Sequence, residues 1–198
     1  MAIIVISAGH NHRTGATALD GTDEHDWNMD LAKKLAPLLV CQGHTVHVLH
    51  RDIDLGYTSG MKKLGGEMRG LNADLCLELH FNSASPSANG FEYLHWLGSK
   101  KGRILAESLG QALKIFTPEI KQRGNNSGAR SLWFHNWNKT KAYSRRGAQY
   151  VYYTPCPAVI CEPGFASNKS DWANIKENQE YLARSYALGI RFYLSKLS

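Results

Sequence analysis

Ala2-Ile3-Ile4-Val5-Ile6-Ser7-Ala8-Gly9-His10 opens the chain with a β-branched run that halts at a Gly-His pair, and Asp74-Leu75-Cys76-Leu77-Glu78-Leu79-His80 repeats the plan further on. Short, nearly continuous apolar runs of this kind suit strands covered on both faces, the condition of a parallel sheet; a sheet with one wet face alternates strictly. A third such run, Ala158-Val159-Ile160-Cys161, ends at Glu162. Residues 45–49, 90–97 and 149–153 read as further strands.

Helical spacing fills the intervals. Trp27, Leu31, Leu35, Leu38 and Leu39 recur within 27–40, and Ile104, Leu105, Leu109, Leu113 and Phe116 share a face within 101–116, which Pro118 ends. Residues 59–71, 169–177 and 179–194 complete the set. Strands alternating with helices predict an α/β, phosphorylase/hydrolase-like domain: a mainly parallel central sheet of about six strands with helices on both faces. No internal repeat, low-complexity tract or linker divides residues 1–198, so a single domain is expected.

With 43% apolar and 20% charged residues the composition supports a sizeable core. The formal charge of +6 favours an anionic partner such as nucleic acid, phospholipid or cell-wall polymer, or serves solubility alone. No basic stretch precedes the opening apolar run, which is too short for a secretory signal or a membrane span. The expectation is no membrane insertion, and a protein kept in the cytoplasm until it is released. Cys41, Cys76, Cys156 and Cys161 form no C-x-x-C pair and are expected to be reduced core thiols.

Functional groups in open α/β sheets gather at the carboxyl ends of strands. Here three expected strands end in His10, His80 and Glu162, and Glu24, in the loop before the first helix, is near enough in the chain to fold back beside His10. Two His and one carboxylate are a ligand set for hydrolytic zinc that leaves the fourth position to water, whose pKa the metal brings to about 7. His10, Glu24 and His80 are therefore the expected metal ligands. Glu162 is the expected general base toward water and general acid toward the leaving amine. Singly, a His or Glu at a strand end is more often a hydrogen-bonded loop residue; the joint placement carries the reading.

Other signals are weaker. His44, His47 and His50 recur every third residue, but strand side chains alternate faces and His47 points away from the other two, so no second metal site is expected. His12, His25 and His135 are candidates for auxiliary roles near the metal. Arg123, Arg130, Arg145 and Arg146 with nearby tryptophans have the mixture of a single-strand nucleic-acid channel. No nucleic-acid module accompanies them, so wall binding or plain solvation is expected and no nucleic-acid partner. Trp133, Phe134, His135 and Trp137, within 125–146, either line a substrate groove or pack that loop down.

Four motifs, in order, carry a resemblance: Ala8-Gly9-His10; Glu24-His25-Asp26-Trp27-Asn28; Leu77-Glu78-Leu79-His80-Phe81-Asn82-Ser83-Ala84, followed by Gly90-Phe91-Glu92; and Pro157-Ala158-Val159-Ile160-Cys161-Glu162-Pro163-Gly164-Phe165-Ala166-Ser167-Asn168. Nearly end to end, the chain resembles the zinc-dependent N-acetylmuramoyl-L-alanine amidases of the amidase-3 type, found in bacterial autolysins and phage endolysins. It departs from that pattern at Ser7-Ala8, where Asp-Pro or Asp-Ala is common, at Asn11, which replaces a Gly, and in the build of 125–146. The resemblance implies one Zn2+ per chain on His10, Glu24 and His80, with Glu162 as the catalytic carboxylate. It implies a peptidoglycan or muropeptide substrate, cut at the amide between the lactyl group of N-acetylmuramic acid and L-alanine by residues 1–198 as a single amidase catalytic domain. A phage or prophage lysis enzyme is the expected setting, with turnover of recycled wall fragments the other. A zinc peptidase cutting within the stem peptide and a non-catalytic wall-binding module are the competing readings; the second is motivated by the basic charge and the altered Gly-His surroundings.

Overall fold

A computed structural model of the protein describes residues 1–11, 14–52, 54–124, 126–132 and 143–197. Along the chain run β1 (Ile3–Ala8), α1 (Glu24–Cys41), β2 (Thr45–Leu49), α2 (Tyr57–Gly70), β3 (Leu75–Leu79), β4 (Glu92–Trp96), α3 (Lys100–Phe116), β5 (Ala129–Leu132), α4 (Tyr143–Tyr153), β6 (Ala158–Glu162), α5 (Lys169–Glu177) and α6 (Gln179–Ser195). The strands form one six-stranded sheet in the order β2-β1-β3-β6-β4-β5. The first four in that order are mutually parallel; β4 runs antiparallel to β6, and β5 parallel to β4. This is the mainly parallel α/β sheet that the apolar runs call for.

Side-chain alternation divides the core between the two faces of the sheet. Ile4, Ile6, Leu77, Leu79, Val159 and Cys161 pack with Leu31 and Leu35 of α1, Leu105 and Leu109 of α3 and Tyr186 and Ile190 of α6. Val5, Cys76, Ala158 and Ile160 pack on the opposite face with Met61, Leu64 and Met68 of α2 and Tyr150 and Val151 of α4. Side-chain oxygens start the helices: Asp23 accepts from the His25 and Asp26 amides at α1, and Asn168 from those of Ser170 and Asp171 at α5.

Register positions the chemistry. Ala8 pairs with Leu79, and Leu79 with Cys161, so the residues that follow, Gly9-His10, His80 and Glu162, leave three neighbouring strands at the same edge of the sheet.

Three expectations need correction. Residues 149–153 are the last turns of α4 rather than a strand. Tyr150 and Val151 bury against α2 and the sheet, with the Tyr150 hydroxyl 3.2 Å from Ser7 Oγ, and those contacts override the β propensity of an aromatic, β-branched run. The edge strand β5 was not expected because Arg130 and Ser131 at its centre are exposed, leaving no apolar pattern. Finally, Cys41 is exposed at the end of α1, while Cys76 and Cys161 are buried; all four thiols are free, with Cys76 Sγ 3.3 Å from Cys156 Sγ. No helix among the described residues is long and apolar enough to cross a membrane.

Candidate active site

Glu24 is the hinge of the site. It is the first residue of α1, not a loop residue, because Asp23 caps the helix directly before it. Its side chain is 2% exposed and held from four sides. Oε2 accepts from the Ala16 amide at 2.8 Å and lies 3.6 Å from His10 Nε2; Oε1 accepts from the Phe81 amide at 3.2 Å and lies 3.0 Å from His80 Nδ1. Burial works against a charge here, but the hydrogen bond and charge of His80, the charge of His10 and the Ala16 amide together bring the carboxyl below its ordinary range.

His10 reaches the site through a backbone turned to φ 60, a left-handed conformation uncommon for a residue with a side chain. The turn is closed beyond it by the Thr14 amide donating to the Asn11 carbonyl at 2.9 Å and by the Thr14 hydroxyl on Asn11 Oδ1 at 3.1 Å. Asn11, a departure from the family pattern, supplies both acceptors. Burial, then the charge of His80, lowers the His10 pKa against the pull of Glu24 and Glu78, so at neutral pH a ring lone pair is available.

His80 leaves β3 with its amide on the Cys161 carbonyl at 3.0 Å. Its ring meets the His10 ring edge to face, with centroids 5.0 Å apart. One donor atom from each of His10, Glu24 and His80 lies within 4.8 Å of the others, and among the described residues this is the His/Cys/Asp/Glu group able to hold a metal ion. Burial disfavours a charged His80, but hydrogen bonds to Glu24 and Glu78 and the charges of Glu78 and Glu162 raise its pKa well above the ordinary 6.5. Two imidazoles and a carboxylate match the donor preferences of a borderline divalent cation such as zinc.

Glu162 ends β6, half-buried, with Oε2 shut off from solvent and without a hydrogen-bond partner among the described residues. Its pKa is pushed up to about 8, first by burial; His80 opposes the shift, and the negative charges of Glu24, Glu92 and Glu78 add to it. Glu92 is its register partner on β4 and is treated differently. It accepts from Asn82 Nδ2 at 2.8 Å, from Arg123 Nε at 3.2 Å and from Arg130 Nη1. Two of the four arginines that read as a basic channel, Arg123 and Arg130, are therefore tied to the Glu92 carboxylate, and Arg123 also lies over the Phe165 ring.

Sequence reasoning missed Glu78 and Glu92 as parts of the site; the only available signal was a charge inside an apolar run. His25 is buried with Nδ1 3.4 Å from the Gly9 carbonyl, below the site, and His44 accepts from the Ala2 amide. His12, Trp133, Phe134, His135 and Trp137 lie outside the described residues, as do the side chains of Arg145 and Arg146.

A family model described as N-acetylmuramoyl-L-alanine amidase (Amidase_3) matches residues 4–191. The endolysin of Bacillus phage SPP1 is 25% identical over 190 residues, covering 95% of this chain and 64% of that protein. The N-acetylmuramoyl-L-alanine amidase LytC of Bacillus subtilis (strain 168) is 26% identical over 177 residues, covering 88% of this chain and 31% of LytC. The chain thus spans less than two thirds of the length of either curated relative. The CwlD amidase of Clostridioides difficile, solved in complex with the GerS lipoprotein, superposes with a TM-score of 0.78 at 21% identity over 99% of this chain and 100% of that one, which shows the shared fold. The match of the family model along nearly the whole sequence means that this chain belongs to the N-acetylmuramoyl-L-alanine amidase family, Amidase_3.

Proposed function

We propose that this chain is a zinc-dependent N-acetylmuramoyl-L-alanine amidase that hydrolyses the amide between the lactyl group of N-acetylmuramic acid and L-alanine in peptidoglycan. His10, Glu24 and His80 hold one zinc ion per chain, Glu162 moves the proton, and residues 1–198 work as a single amidase catalytic domain. The observation that carries this reading is the convergence of three donor atoms within 4.8 Å together with the Glu162 carboxyl, whose buried Oε2 has no hydrogen-bond partner among the described residues. Family membership supplies the substrate class. The match to a phage endolysin supports a role as a phage or prophage lysis enzyme released to the cell wall.

When bound, zinc supplies a Lewis acid for the scissile carbonyl and acidifies water toward a pKa of about 7. Glu162 takes a proton from the attacking water as its oxygen adds to the carbonyl carbon. It returns that proton to the nitrogen as the carbon–nitrogen bond breaks, giving a free L-alanine amino group and a lactyl carboxylic acid, which ionises by passing its proton to that amine or to solvent. Burial of Oε2 raises the affinity of the group for the proton it carries from the water to the nitrogen. Glu92, neutralised by Arg123 and Arg130, is left out of the proton's path.

Mass spectrometry of purified peptidoglycan digested with the protein tests the reading. The expected products are intact stem peptides with a free L-alanine amino terminus. Cuts inside the stem peptide would instead identify a zinc peptidase, and an undigested wall that retains the protein would identify a binding module.

A further inference from the structure

The His80 ring lies between two carboxylates. Its Nδ1 is 3.0 Å from Glu24 Oε1, the carboxylate that also approaches His10, and its Nε2 is 3.3 Å from Glu78 Oε2. Glu78 has no role in the proton transfer above. It sits inside Leu75–Leu79, a strand whose every residue is buried, with its side chain 4% exposed. A carboxylate so placed is retained only against a strong desolvation penalty, and the His80 nitrogen 3.3 Å away is the group near enough to offset it. It shares its sheet face with Cys76 and pairs in register with Ser7 and Ile160, so its oxygens end up beneath the imidazole instead of in solvent.

The other side of the ring is fixed by an absence of atoms. A Cβ on Gly9 would lie 2.1 Å from Cε1, 2.2 Å from Nε2 and 2.5 Å from Nδ1 of His80, so the ring packs directly on the Gly9 backbone. Position is thus set by Gly9 and by the two carboxylates. What remains open is which nitrogen carries the proton, since a neutral imidazole has one donor and one acceptor.

We propose that Glu78 is a positioning residue for the metal centre: it accepts the Nε2–H of His80 and so fixes the tautomer whose Nδ1 lone pair points at the space between Glu24 and His10. Such a carboxylate–histidine pairing orients the ring and raises its basicity as a ligand. The inference rests on the triad being a metal site and adds to it a second carboxylate that never touches the ion or the substrate.

Two measurements test it. In the zinc-loaded protein, long-range 1H–15N correlation spectra of the imidazoles should show His80 protonated at Nε2 with Nδ1 as the metal-bound nitrogen; the reverse assignment overturns the proposal and needs no variant. In competition titrations of the stripped protein with Zn2+ and Co2+, Glu78→Ala should weaken binding by about 10- to 100-fold and alter the visible Co2+ spectrum, while Glu78→Gln, whose amide oxygen still accepts from Nε2, should recover most of the affinity. Wild-type affinity and an unchanged Co2+ spectrum in Glu78→Ala overturn the role of Glu78 and leave the metal site standing. Failure of the unaltered protein to bind either ion overturns the metal site itself.

Discussion

Glu162 and Glu92 face each other across β6 and β4, but their partners differ: Glu92 is surrounded by Asn82, Arg123 and Arg130, while Glu162 Oε2 has none among the described residues. Burial without a partner is what lifts the Glu162 pKa from 4.5 to about 8. A carboxyl whose pKa is raised on folding binds its proton more tightly in the folded state. Its contribution to stability is complete below about pH 4.5 and is lost as the pH climbs through about 8. In the metal-free protein the melting temperature should therefore fall across that window, and Glu162→Gln, neutral at every pH, should remove this part of the fall. The same substitution should lower amidase turnover by about 100-fold or more with the bound metal retained. Thermal scans at several pH values and turnover measurements on one pair of proteins check both. His10, His80 and Glu162 were readable in the sequence because each directly follows an apolar strand. Glu24 was readable as a residue but not as a helix start, since one capping Asp23 decides that boundary.

Among the elements, those with a clean period were the ones the pattern exposed. The apolar strands β1, β3 and β6 and the amphipathic α3 lie where their spacing puts them. The end of α4 did not, because its Tyr-Val-Tyr-Tyr run suits either state and only the surface of α2 and the sheet decides between them. Close helix packing is likewise invisible along a single chain. Gly189 of α6 lies against α3 so tightly that a Cβ would stand 2.8 Å from Leu109 Cα and 3.1 Å from the Ser108 carbonyl oxygen, whereas a Cβ on Gly66 of α2 would meet nothing within 4 Å. Gly189→Ala should destabilise the fold by about 1–3 kcal/mol, because backbone must move to admit the methyl. Gly66→Ala should stabilise it by about 0.4–1 kcal/mol through the stiffer unfolded chain. Urea unfolding midpoints that shift in opposite directions would bear this out; a shared direction would not.

At the scale of the whole molecule, three neighbouring parallel strands, β1, β3 and β6, carry the site because parallel neighbours bring their carboxyl ends to one edge, and the register Ala8–Leu79–Cys161 aligns the residues that follow. Convergence of residues so distant in the chain was readable only because strand ends are where such folds gather chemistry. The surrounding carboxylates were not, since burial of Glu78 and Glu92 depends on which face of the sheet each side chain enters. The basic charge of the chain says less than it first suggests, as Arg123 and Arg130 are occupied with Glu92. What binds these levels together is the proposed zinc ion on the triad of His10, Glu24 and His80. Elemental analysis of the chelator-stripped protein after reconstitution with zinc and removal of excess measures it directly. The expected result is one zinc per chain, kept in Glu162→Gln and lost in His80→Ala and Glu24→Ala; no bound zinc in the unaltered protein, or full occupancy after loss of His80 and Glu24, would contradict it.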